Sequence, residues 1–172
     1  MNKVILIVSM ILLMAAGVTN PQDRNDFSIA SLKGLDTVQV YAIVDDDLEK
    51  YLSEDRIKTV LELKLMQNGF VLSDDMSSVK ARISMNITAL ENRGYDNDVL
   101  SFAISYNLDI DQPTLLSRDY NIYCISTTWS HSGVAIAGTR VVKSHLESIV
   151  NDGLDALLRD HLKANMNDRG HR

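Results

Sequence analysis

The chain has 172 residues, 45% of them hydrophobic and 23% charged, a composition that excludes a disordered or fibrous protein and suits one domain with a real core. Its formal net charge is −6, and an acidic surface of this kind repels nucleic acid and anionic lipid headgroups, so neither is an expected partner.

After Lys3, Val4 to Val18 is an apolar run broken only by Ser9, shorter than the roughly 20 residues that a membrane-crossing helix needs. It ends in small residues (Ala15, Ala16, Gly17, Thr19), which predicts a signal peptide over residues 1–19, cut between Ala16 and Asn20. A periplasmic or secreted protein is therefore expected, meeting the membrane only through this segment. No cysteine lies near the cut, so a lipid-modified N-terminus is not expected. Without the segment the balance is 16 basic against 23 acidic side chains.

Asn20 to Gly34 is polar and unpatterned and reads as a flexible leader. A single domain is expected from residue 35 to 165. Thr37 to Val44 (TVQVYAIV) is rich in β-branched residues and predicts a mostly buried strand. Asp45, Asp46 and Asp47 lack the spacing of a calcium loop and read as a solvated turn. Ser53 is the expected N-cap of a helix to about Asn68, with Ile57, Val60, Leu61 and Leu65 at helical spacing and Gly69 as the stop. Phe70 to Leu72 then predicts a short strand.

Strict alternation follows. In Val79 to Leu90 the odd positions are apolar and Lys80, Arg82, Ser84, Asn86 and Thr88 are polar; in Val99 to Asp111 the apolar residues are opposed by Ser101, Ser105, Asn107 and Asp109. Each segment should lay one face on a core and turn the other outward. Glu91 to Asp98 and Gln112 to Thr114 read as turns between antiparallel strands. Leu116 to Trp129 alternates less cleanly, and its Cys124, the sole cysteine, reads as a packing residue. Asn121 and Thr127 are further candidates for the outward face. From Arg140 to Asn165 an apolar stripe returns at helical spacing, and 166–172 is a polar tail. The fold class expected is α+β: an antiparallel sheet of four to five strands with two helices on one face, in the order strand, helix, strand, meander, helix.

Thr127 to Arg140 (TTWSHSGVAIAGTR) carries the strongest local question, because Gly133 and Gly138 stand between strand and helix signals. A phosphate-binding loop needs lysine after its last glycine, and Thr139 stands there instead. A weaker anion or ligand site remains open, made of Trp129, Ser130, His131, Ser132, Gly133, Gly138 and Thr139 at a helix start. A nucleophile elbow fails, since Ser130 occupies the position of the first glycine before Ser132. His145 and His161 are too far apart on one helix to share a zinc, and His171 lies in the tail. No metal or cofactor is expected.

LDTVQVYAIV, LELKLMQNGFVL, TTWSHSG and LLRDHLKAN, in that order, resemble a group of small exported bacterial proteins of unassigned function, over Leu35 to Asn165. Thr128, Trp129 and Ser130 leading to Gly133 are the most specific part, and the resemblance brings no catalytic residues. More distantly, the order of elements is similar to the N-terminal domain of the Tol-Pal translocation protein, which implies a binding role. Together these readings lead to an exported, non-enzymatic interaction module of the envelope, with an envelope protein or a glycan as partner. The alternative is a small hydrolase or ligand carrier with its site between Trp129 and Thr139.

Overall fold

The computed structural model describes residues 26–75 and 78–166. The expected signal peptide and His171 lie outside these residues. The elements are α1 (Asp26–Ala30), β1 (Thr37–Val44), α2 (Asp46–Glu49), α3 (Glu54–Gln67), β2 (Val71–Leu72), β3 (Ala81–Arg93), β4 (Val99–Leu116), β5 (Asp119–Gly138) and α4 (Val142–Met166).

The five strands form one sheet in the order β2-β1-β3-β4-β5. It is α+β as expected but mixed, which corrects the wholly antiparallel sheet. β1 runs parallel to both β2 and β3, and only β3, β4 and β5 are antiparallel neighbours. The cause is connection length. A tight turn reverses a strand, whereas α3 carries the chain back to the end at which β1 began, so the next strand runs the same way.

α3 packs over β1, and α4 over β4 and β5, on the same side of the sheet. The alternating residues they cover are buried: Val38 and Val40, Ile83, Met85 and Ile87, Phe102, Ile104, Leu108 and Ile110. Against them lie Ile57, Leu61 and Leu65 of α3 and Leu146, Val150, Leu154 and Leu157 of α4. Each such side chain contributes about 1.5–3 kcal/mol by leaving water, so this layer is the main stabilising term.

α3 begins and ends as its sequence dictates. Ser53 Oγ accepts from the Arg56 amide, and Glu54 and Asp55 put negative charge in the first turn. At the other end the Gly69 amide donates to Met66 O and the Phe70 amide to Leu65 O, with Gly69 at φ 89°, the pairing of a Schellman cap. The aspartate triplet is not a free turn: Asp45 caps the four-residue α2 by accepting from the Asp47 amide.

The described part of the expected flexible leader is ordered. α1 occupies Asp26–Ala30, Leu32 is fully buried, and Gln112 Nε2 donates to Ser31 O at 3.2 Å. Gly34 N donates to Asn165 Oδ1 at 3.0 Å, tying the segment to the last turn of α4. Leu32 and Leu35, three apart, provide the apolar contact that the polar average of the segment conceals.

Candidate functional site

Thr127 to Gly138 is strand, which corrects the expected loop opening a helix. β5 continues to Gly138, and α4 starts only at Val142. A bulge explains the misleading pattern. Ile110 pairs with Trp129 and Asp111 with Thr127, so Thr128 is the extra residue, its hydroxyl donating to Gln112 Oε1 at 2.8 Å. The inserted residue inverts the phase of alternation from one half of β5 to the other.

The seven residues expected to converge are consequently divided between two faces. Trp129 is buried under α4, 1% exposed, with its indole Nε1 donating to Asp160 Oδ2 at 3.1 Å. Lys163 Nζ stands 3.8 Å from the other oxygen of Asp160. His131 lies beside Trp129 on the same face, ring centroids 6.5 Å apart at 27°. Gly133 sits against Tyr106, where a Cβ would come within 2.5 Å of Tyr106 Oη. Burial, with a smaller contribution from the Asp152 charge, holds the Tyr106 phenol above its ordinary value of 10. Ser130 and Ser132 are exposed on the opposite face, while Gly138 and Thr139 close the far end of the strand. His131 and its serine neighbours therefore do not meet as nucleophile and base, and Trp129 offers no free ring for stacking.

The second set of expected residues is brought together. Arg82, Ser84, Asn86 and Thr88 on β3 and Ser101, Ser105 and Asn107 on β4 all lie on the side of the sheet away from the helices, as the burial of their neighbours requires. Thr127 joins them; Asn121 instead sits near the β4–β5 turn, its amide donating to Asp119 Oδ1. Asp109, polar in the same alternation, lies on this face too, and the structure adds its partner and further residues that sequence reasoning missed. Asp109 accepts from Ser130 Oγ at 2.6 Å, Asp111 from Thr127 Oγ1 at 2.7 Å, and the Arg82 guanidinium lies 5.0 Å over the Tyr41 ring. Val134 and Ile136 are also turned outward, 72% and 66% exposed, beside Leu90 and Ala103. Their signal was present in the alternation of VAIAG, where the small residues face the helix, but it is readable only once β5 is known to continue.

The open face is thus a polar band across β3, β4 and β5 with an apolar margin at the end near Leu90. On the helix side, a shallow groove of about 310 Å³ lies between α3 and α4, lined by Ile57, Val60, Val150, Arg56 and Glu147 among others. Among the described residues no group of three or more His, Cys, Asp or Glu is placed to hold a metal ion, and no helix is long and apolar enough to cross a membrane.

No protein-family model matches the chain, and no curated protein matches it. Solved structures resemble it at low identity. A PelC dodecamer variant from Paraburkholderia phytofirmans is 12% identical with a TM-score of 0.43, over 75% of this chain and 89% of that one. The rare lipoprotein B from Shewanella oneidensis is 10% identical with a TM-score of 0.32, over 73% and 92%. A minor lipoprotein from Acinetobacter baumannii is 13% identical with a TM-score of 0.29, over 80% and 95%. Two of these three are lipoproteins by name, and the Tol-Pal likeness gains nothing from them.

Proposed function

We propose that the protein is an exported, non-enzymatic module of the cell envelope that docks an envelope protein on the open face of its sheet. The observation that carries this reading is one-sidedness: α3 and α4 both lie on the same face, and among the described residues no element covers the rows of β3, β4 and β5 on the other. That bare face combines hydroxyls and amides with Asp109, Asp111 and Arg82, and ends in Val134 and Ile136, the mixture of polar rim and apolar anchor that protein interfaces use. Export is supported by the apolar run Val4 to Val18.

The test is a photo-activated cross-linker placed in living cells at Asn107 or Ser132, with exposed Asp155 on α4 as the control position. Recovery of the same partner from both open-face positions and not from Asp155 is expected. If both give no more than the control does, docking on this face is wrong. A band that disappears on glycosidase treatment moves the partner from protein to glycan.

A further inference from the structure

Past Asp111 the β4–β5 hairpin leaves the sheet. β3 pairs with β4 only as far as Arg82 and Asp111, so Gln112 to Leu116 has β5 as its one strand neighbour. This projecting arm is about five residues, or roughly 17 Å, long. Pro113 faces Ile125 across its ladder and Leu115 faces Tyr123. On that face Leu115 is 47% exposed, Ile125 66% and Tyr123 73%, and Tyr120 and Ile122 near the turn are exposed as well. An isolated two-stranded ribbon is marginal in water. This one turns its apolar side outward.

The outer edge of β5 adds a second, independent observation. Among the described residues β5 is the last strand of the sheet, so one row of its backbone donors and acceptors has no strand partner, although α1 packs against β5 and Ser31 Oγ donates to Thr128 O at 3.4 Å. Natural edges are blunted by charge, proline, inward-pointing lysine, a bulge or a covering segment; in β5 the bulge at Thr128 and the approach of Ser31 serve one point, and Tyr120 to Thr127 on the arm has neither. Between Tyr120 and Gly138 there is no Lys, Arg, Asp, Glu or Pro.

We propose that this edge and arm are covered by a second copy of the same chain, β5 pairing with β5 antiparallel about a two-fold axis near the arms. Antiparallel pairing of one edge with itself is isologous and closes after two copies. The two arms become a four-stranded ribbon with their apolar side chains side by side. Taking on the order of 200 Å² for a fully exposed tyrosine and somewhat less for leucine or isoleucine, the three side chains that share the outward face, Leu115, Tyr123 and Ile125, expose about 350 Å² per copy. Edge pairing sets the two patches side by side and covers part of each, the scale of a weak, concentration-dependent association, in which main-chain hydrogen bonds between the edges are the principal term. Charge selects the same surface. At a net charge of −6 two copies repel each other, and the uncharged run from Tyr120 to Gly138 is where their approach costs least. With the expected signal peptide removed, the adjoining segments NPQDRN and NDRGHR hold no large apolar side chain to cover the arm.

Sedimentation velocity on the purified full chain, from about 1 to 100 µM, is expected to show a monomer–dimer equilibrium. Ile125→Lys and Tyr123→Ser should each weaken it about tenfold or more, with the emission of buried Trp129 unchanged as a sign of an intact core. A wild-type chain that stays monomeric throughout, or a dimer indifferent to both variants, overturns the proposal. So does a monomer whose Tyr123 inserts into phosphatidylethanolamine–phosphatidylglycerol vesicles, which would make lipid the occupant. If neither variant folds, amide exchange on the wild type decides: protection of Tyr123 to Thr127 must rise with protein concentration, and concentration-independent exchange overturns pairing. None of these outcomes bears on the docking face, which is read at Asn107 and Ser132.

Discussion

Trp129 owes its position to a polar group rather than to its ring alone. The indole carries one N–H that must be satisfied when the ring is buried, and Asp160, itself 4% exposed, accepts it at 3.1 Å. A buried carboxylate is costly without partners, so donor and acceptor depend on each other, with Lys163 adding charge from outside. Asp160→Ala leaves the indole N–H facing a cavity and is expected to destabilise the protein by about 2 kcal/mol, whereas Asp160→Asn keeps an acceptor and should cost about half as much. Urea unfolding followed by Trp129 emission measures both. Equal losses for the two variants would mean that volume, and not the hydrogen bond, is what Asp160 contributes.

At the scale of elements, legibility followed periodicity. β1, α3 and the paired halves of β3 and β4 keep one period over their lengths, and the expected residues occupy the expected faces. β5 does not, because Thr128 is an extra residue that swaps inside for outside, and the two glycines beyond it imitate a loop. Gly133 is required there for another reason: the Tyr106 ring occupies the space of its Cβ. The extension of β4 through Pro113 was hidden similarly, since Gln-Pro-Thr has the composition of a turn although the real turn is at Ser117 and Arg118. Pro113 is tolerated because that stretch of β4 has no β3 neighbour to receive its missing N–H. Where a glycine does end an element, the consequence is measurable. Gly69 holds φ at 89° in the cap of α3, a conformation that costs an L-residue about 1–2 kcal/mol, and nothing lies within 4 Å of its Cβ position to add a steric term. Gly69→Ala should lose that amount in chemical denaturation, and Gly69→Asn clearly less, because asparagine tolerates the left-handed region.

The described residues form a sheet insulated on one side and bare on the other, and what completes the insulated side is the segment before β1. The mean polarity of Asn20 to Gly34 argues for a tether, yet burial is decided by single side chains. Leu32 is fully buried, while Phe27, five residues earlier, is 85% exposed. Ser31 and Gly34 on either side of Leu32 are joined to β4 and to α4, so the segment locks the ends of two distant elements together. A tether would tolerate substitution at either position within about 0.5 kcal/mol. An integral part of the core would not: Leu32→Ala should cost about 2–5 kcal/mol, because α4 and β5 cannot collapse fully into the space left behind. Phe27→Ala serves as the internal control and should be near neutral. Comparison of the two by guanidinium unfolding distinguishes the alternatives, and a Leu32→Ala protein as stable as its Phe27→Ala counterpart would return the segment to the role of a leader.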